Sequence, residues 1–464
     1  MKALLQEKLA KRANALGRRV NVGLLGFGTT NRAALDILLS LEDVASITVR
    51  QKGLRKGDFP DTVSVVSTER AFLDLDEDIL IPSPSVRREA LVIEPYTEYV
   101  TDTDLLFASR PKELFLVSGS DGKSTTTILA SLLLKERLPS LFTGGNLGVP
   151  LWQADHTSPF LLETSSFTLR YSLPKGGRAL LTNVTPNHLD WHDSLAEYEA
   201  TKLGLIYAAS EPILNLGDAI SEKAARDLCA FCLLSTNPEA VGELKKYKTE
   251  HTVTSNGTSL LLDGEEIVRI SEIRRNEPHN VTNLALAIAM SIGYADVAHV
   301  REVARSFSGL SYRAEEFDVD GVKYVSSSID TTPARAVTTL MGLGRRVRLI
   351  LGGRGKGLPL SPMRDALIKY AERIAVYGDI GEEMRAFLES DAPLANIPHR
   401  TFKHFSEAID YATDGATEND TVLLSPAATS YGEFTSYKER AEYFESYVKM
   451  GKSKDKSENK PPKI

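Results

Sequence analysis

Residues 113–134, ELFLVSGSDGKSTTTILASLLL, constrain the fold of this chain more than any other stretch. An apolar run of strand length enters a turn carrying Gly119 and Gly122, then Lys123, then apolar residues at helical spacing. Strand, small-residue turn and helix in that order gather backbone N–H groups and a helix N-terminus around one point. That is how α/β proteins hold phosphate. The common pattern G-x-x-x-x-G-K-[ST] is incomplete, because Val117 stands where its first glycine belongs. Read as a nucleotide loop, the turn sends Lys123 to the β- and γ-phosphates and Ser124 to Mg²⁺, with Gly119, Ser120, Asp121, Gly122 and Thr125 completing the cradle. The competing reading is a glycine-containing helix entry that binds nothing.

Alternation of β and α runs through the rest of the chain. VNVGLLGFG, residues 20–28, is a strand running into Gly26 and Gly28, and the helical TTNRAALDILLS follows. Gly23, Gly26 and Gly28 do not make G-x-G-x-x-G, so nicotinamide binding is not favoured. Strands are expected at DILIPSPSV, PFLLET, RALLTNV, KYVSS, RRVRLILGG, ERIAVYG and TVLLSPA, and a hairpin at SLLLDGEEIVRI, turning at Asp263-Gly264. From about residue 86 to residue 110 no period dominates. The fold class expected is α/β with three domains: a Rossmann-like domain at 1–108, a P-loop ATPase-like domain at 109–308, and a second Rossmann-like domain at 309–450. The charged stretch 451–464, GKSKDKSENKPPKI, is expected to be a disordered tail.

Charge narrows the partners. A net charge of −7 and a pI near 5.8 argue against a nucleic-acid surface, while leaving room for a local basic pocket. The first residues, MKALLQEKLAKRANALGRR, lack the apolar core of a secretory signal, and no apolar run has the ~18 residues of a membrane span. The expected location is cytoplasmic, without membrane insertion. Cys229 and Cys232 form a single CxxC, read as two buried apolar residues rather than a metal or redox pair.

Beyond the loop, LLETSSF ends a strand at Glu163, where phosphate-loop proteins often keep a metal carboxylate. NVTPNHLDWHD then supplies His188, Asp190 and His192 just past another strand, and Lys202 sits on the helix after it. Mg²⁺ prefers oxygen ligands, so a lysine beside such a site is out of place. Residue chemistry alone leaves the question open.

The blocks GSDGKST, TGGNLGVPL, LETSSF, NVTPNHLD, YEATKLGLI, HNVTNLALA, GLSYRAEEF, SIDTTPARA, LILGGRGKGLPL and LLSPAATSYGEFTSYKERAEYF, in this order, resemble the Mur ligases of peptidoglycan assembly. The likeness runs from about residue 20 to residue 450. In that family the phosphate loop is the shorter G-x-x-G-K-[ST]-T, which GSDGKST fits, with Asp121 at a position where asparagine is usual. The resemblance implies an ATP- and Mg²⁺-dependent, ADP-forming ligase, here one adding D-glutamate to UDP-N-acetylmuramoyl-L-alanine through an acyl phosphate. It implies Lys123, Glu163, His188 and Lys202 as catalytic residues, with Ser124, Glu163, His188 and a carbamate on Lys202 as metal ligands. Asn280, Asn283 and Arg313 would contact ATP, and Asn146 and His188 the muramoyl substrate, whose uridine diphosphate would meet the loops after Gly26 and at residues 83–85. Thr331, Lys356, Ser430, Tyr431 and Tyr437 would hold the acceptor, so GGRGKG is not a second ATP loop. An aspartate usual at the ribose is replaced by Ser327, and Asp330 is the candidate to take its place among the ATP-binding residues. A monomer is expected. A ligase for L-glutamate or another carboxylate, or a silent homologue, are the alternatives.

Overall fold

The computed structural model of the protein describes residues 1–450 except 69–70, 74, 88–90, 92–96, 148, 187, 189–190, 311–312 and 356–357. The expected tail, 451–464, lies outside the described residues, as do the candidate Lys356 and Asp190. The chain divides into two compact units, Met1–Ser308 and Gly309–Ile464.

Two sheets build the first unit. In the first, strands Val63–Val66, Val44–Arg50, Val20–Leu25, Ile79–Pro82 and Glu98–Tyr99 lie side by side in that order, all parallel. The winding direction reverses between Val20–Leu25 and Ile79–Pro82, which opens a crevice at their C-terminal ends. Asn31 closes its base: the fully buried side-chain amide donates to Leu25 O, Gly26 O and Ile81 O.

The second sheet orders Phe142–Gly145, Phe160–Glu163, Leu114–Ser118, Arg178–Leu181, Glu211–Asn215, Ala230–Ser235 and Thr249–Ser255 in parallel. The expected hairpin, Ser259–Leu262 with Glu265–Arg269, adds two antiparallel strands at its edge. Its turn has φ 50° at Asp263 and 90° at Gly264, the doubly left-handed form that suits a right-twisted hairpin. Strands buried on both faces sort their side chains by a period of two. Leu114 and Leu116 join one apolar core, together with Leu5 and Leu9 of the N-terminal helix, and Phe115 and Val117 join the other. A fully buried leucine such as Leu116 contributes about 1.5–3 kcal/mol.

The second unit has one sheet, in the order Glu315–Val319, Val322–Ser326, Thr421–Leu424, Val347–Gly352, Ala371–Tyr377, His399–Phe402. The first strand is antiparallel to its neighbour and the rest are parallel. Leu349 and Leu351 face one core and Ile350 the other.

Two expectations need correction. Helix Asp102–Ser109 occupies part of the stretch that lacked a period, started by Thr101 and Asp104 capping each other's backbone N–H groups. The capping pair, not apolar spacing, fixes that helix. Of the two cysteines only Cys232 is buried, inside Ala230–Ser235, where burial pushes its thiol up; Cys229 precedes the strand and is exposed.

Candidate active site

The expected phosphate loop folds as a loop braced from below. Strand Leu114–Ser118 ends, Gly119 takes φ 136°, and a Cβ there would lie 2.0 Å from Thr182 Oγ1 and 2.9 Å from Thr182 N. Only glycine fits. Ser120 N donates to Asn183 O (2.8 Å), and its hydroxyl meets Thr185 and Tyr198 OH. Asp121 N donates to Asn183 Oδ1 (2.9 Å), and the Thr182 hydroxyl donates to Asp121 O. Gly122, at φ 77°, caps helix Lys123–Leu134. A side chain on Gly122 would run into Asn283 Oδ1 at 2.5 Å. Lys123 folds back over the loop, donating to Ser120 O at 2.7 Å, and Ser124 and Thr125 occupy the first helical turn.

Glu163 ends strand Phe160–Glu163, one strand away, and is 2% exposed. Asn146 Nδ2 donates to its Oε1 at 2.8 Å, while its buried Oε2 has no hydrogen-bond partner among the described residues. An unmatched buried carboxylate oxygen costs about 1–3 kcal/mol or more, so this one calls for a cation or donor from outside the chain. Lys202, also 2% exposed, comes from helix Leu195–Ala208 and donates to Gly119 O at 2.7 Å, its Nζ lying 4.9 Å from the Tyr198 ring centroid. Its ammonium is lowered to about 7, chiefly by burial and also by the nearby Lys123 charge, with Glu163 opposing the shift. The side chain is therefore a neutral amine in about half of molecules at pH 7, against roughly one in several thousand for an ordinary lysine.

Glu163 and Asn146 also line a cavity of about 290 Å³. Its other walls are the crevice of the first sheet, with Thr29, Thr30 and residues 83–85, and Ser165 and Phe167 at the start of helix Ser166–Tyr171. Asp102, which sequence reasoning passed over, lies on the same wall with its carboxyl pushed up to about 6 by burial. His188 stands exposed at φ 54° with its ring edge-on to Phe167. His192, grouped with it in the sequence, is a different case: it is buried, one ring nitrogen against Glu197 and the other against Ser166 Oγ. Asn280 is tied to Glu277 at the start of helix Pro278–Met290, and Asn283 meets the Thr126 hydroxyl beneath Gly122.

In the second unit, Asp330 was expected at a nucleotide ribose. Its carboxylate instead faces the interior, 2% exposed, accepting the Thr339 and Ser425 hydroxyls at 2.7 Å each. Burial raises its pKa; the hydroxyls of Thr339, Ser327 and Ser425 and the Arg313 charge oppose that. Both hydroxyls fall on Oδ2, so a ligand reaching that oxygen would have to displace them. Thr331 follows it directly, half-buried, while Ser430 is buried and Tyr431 and Tyr437 are exposed.

The bracing residues Thr182, Asn183, Thr185 and Tyr198 carried a sequence signal only through their nearness to strand Arg178–Leu181 and to Lys202. Among the described residues no three His, Cys, Asp or Glu side chains group as a metal site, and no helix is long and apolar enough to cross a membrane.

Residues 117–291 match the Mur ligase middle domain. The chain is 30% identical over 467 aligned positions to UDP-N-acetylmuramoylalanine--D-glutamate ligase of Acetivibrio thermocellus, spanning 92% of this chain and 96% of that one. It is 28% identical to the enzyme of the same name from Clostridium kluyveri, over 92% and 96%. Among solved structures it is similar in fold to a murein peptide ligase, Mpl, of Psychrobacter arcticus (14% identity, 93% and 99% covered, TM-score 0.50). A pseudomurein peptide ligase type C of Methanothermus fervidus gives the same picture (16% identity, 88% and 96%, TM-score 0.50).

Proposed function

This chain belongs to the Mur ligase family, in its UDP-N-acetylmuramoylalanine–D-glutamate ligase branch, and on that premise we propose how its residues divide the reaction. The activity is ATP-dependent addition of D-glutamate to UDP-N-acetylmuramoylalanine in peptidoglycan synthesis. Another acceptor, or a silent homologue, draws no support from these relatives. An amide forms from a carboxylate only after the carboxylate is activated. In this reading the alanyl carboxylate attacks the γ-phosphorus of ATP, ADP leaves, and an acyl phosphate remains. The glutamate amine then attacks the acyl carbon, loses a proton and expels phosphate.

The first step brings two anions together. At ~4 Å, two unit charges repel by about 4 kcal/mol even at an effective dielectric of ~20. The backbone N–H groups at the start of helix Lys123–Leu134, from Gly122 to Thr125, and the Lys123 ammonium would offset this by facing the phosphates, with Lys123 exchanging Ser120 O for phosphate oxygen. Asn280, Asn283 and Arg313 are assigned to ATP, and Asn146, beside Glu163, to the muramoyl substrate in the cavity with Thr29, Thr30 and residues 83–85. Asn146 would present that carboxylate to the loop. Thr331, Lys356, Ser430, Tyr431 and Tyr437 are assigned to D-glutamate.

The unmatched Glu163 Oε2 fits a divalent cation. Ser124, Glu163, His188 and Lys202 would hold Mg²⁺, which when bound neutralises phosphate and carboxylate charge. Lys202 suits that role only as an oxygen donor. Its neutral amine can add CO₂, giving a carbamate and releasing a proton, and the remaining N–H can keep the bond to Gly119 O. The reading carries with it a cytoplasmic monomer acting on small molecules.

The observation that carries the assignment is a phosphate-type loop flanked by a buried carboxylate with one unmatched oxygen and a buried lysine whose ammonium is lowered to about 7. Borohydride added during turnover without glutamate tests it. An acyl phosphate would be reduced, leaving the nucleotide with an alaninol end; recovery of alanine alone, with ATP and nucleotide saturating, would count against the intermediate.

A further inference from the structure

Arg440 is the most deeply buried cation among the described residues of the second unit, 0% exposed on helix Tyr437–Lys449, and each of its hydrogen-bond partners among them is neutral. Nε donates to Ser328 Oγ (2.9 Å) and Nη2 to Ser328 O (2.8 Å). Nη1 donates to Gly352 O (3.3 Å) and the Tyr377 hydroxyl (3.2 Å), and Ala428 O accepts from both Nη1 and Nη2 at 3.3 Å. Ser328 Oγ in turn donates to Tyr437 O at 2.8 Å.

These contacts fall at the roots of the segments assigned to the acceptor. Ser328 precedes Thr331, Gly352 precedes Lys356, Ala428 precedes Ser430, and Tyr437 is itself reached through Ser328. The backbone leaves no slack: a Cβ on Gly352 would lie 2.1 Å from Tyr377 O, and one on Gly353 would lie 1.9 Å from Thr429 O. A planar guanidinium with five fixed donors can bind several carbonyls at once, which an ammonium cannot do with the same geometry. A buried charge is ordinarily matched by an opposite one. Here the described partners are all dipoles, so the positive charge is left to act on whatever enters beside them.

Resting on the assignment of the acceptor segments above, we infer that Arg440 is a positioning residue for the acceptor pocket: it ties strand-end segments together and sets beneath them a positive charge that favours an acidic amino acid. It need not touch substrate to do so.

Steady-state kinetics with ATP, the muramoyl nucleotide and D-glutamate, each varied in turn, test this with wild type, Arg440→Lys and Arg440→Gln. Arg440→Gln should raise the KM for D-glutamate at least tenfold while the KM values for ATP and the nucleotide move less than twofold. Arg440→Lys, which keeps the charge and loses the fork, should show a smaller rise in the same constant alone. An unchanged glutamate KM in folded Arg440→Gln, or a rise in all three constants together, overturns the inference. If Arg440→Gln does not fold, Arg440→Lys decides by the same pattern; if neither folds, Arg440 serves the fold alone and the inference is wrong. A wild type that releases no phosphate with D-glutamate overturns the ligase reading itself, a result distinct from any of these.

Discussion

Lys202 offers the sharpest quantitative test of the site. A carbamate forms only from the neutral amine, and an exposed lysine at the ordinary 10.5 is neutral in roughly one molecule per thousand at pH 7.5. Lowered to about 7, Lys202 is neutral in roughly three quarters of molecules, a gain of several hundredfold. The sign follows: acidification through pH 7 protonates the amine and removes its reactivity, so carbamate occupancy and turnover fall together. Between pH 8 and pH 6 the neutral fraction drops roughly tenfold. The same shift affects folding. Because the folded-state value is depressed, the unfolded chain binds the extra proton between about 7 and 10.5, and this lysine makes the fold more stable as pH rises through that window. The assay is ¹³C NMR of protein equilibrated with ¹³C-bicarbonate at pH 6 and pH 8, beside phosphate release. Wild type should acquire a carbamate signal at pH 8 that weakens at pH 6 and is missing in Lys202→Ala. Lys202→Ala should lose at least about a thousandfold in turnover and regain part of it with millimolar formate or acetate, which can supply the missing oxygens. Lys202→Arg should stay inactive, since a guanidinium neither adds CO₂ nor ligates a metal. Wild-type activity in Lys202→Arg, or no label at pH 8, would refute the carbamate.

Lys123→Ala should abolish ATP turnover while moving the melting temperature by no more than a few degrees, because the side chain's bond to Ser120 O lies within the loop and ties no core elements together; near-normal phosphate release would remove the loop from the mechanism. Asp330→Asn should leave the KM for ATP within threefold of wild type, since the carboxylate faces Thr339 and Ser425; a rise of about tenfold or more would restore the ribose contact. Asp330 has a raised pKa, so its stabilising contribution is complete below the ordinary 3.8 and is lost as pH rises through the folded-state value. Wild type should therefore gain more over Asp330→Asn at pH 4 than at pH 7 in thermal melts.

What the sequence revealed follows from what is local. Leu114–Ser118, Val347–Gly352 and the Asp263-Gly264 hairpin announce themselves because strand runs and turn residues act over a few positions. The short edge strand Glu98–Tyr99 does not, having two residues and no face to bury. In the site, Lys123 and Glu163 were legible from their places after strands. The burial that lowers the Lys202 ammonium was not, because it depends on Gly119 and the phosphate-type loop closing over the side chain from 83 residues away, with Tyr198 one helical turn before it. Asp330 shows the opposite failure: three residues from a vacated position, it looks like a substitute, but its direction is set by Thr339 and Ser425, which sequence proximity cannot reveal. Cys229 and Cys232 form one motif, yet the start of a strand between them exposes the first and buries the second.

The most direct test is phosphate release from ATP with UDP-N-acetylmuramoyl-L-alanine, comparing D-glutamate, L-glutamate and no amino acid, with the mass of the nucleotide product read at the end. The expected result is release that requires both the nucleotide and D-glutamate, and a product heavier by one glutamyl residue. Equal rates with L-glutamate, or sustained release without any amino acid, would contradict the account.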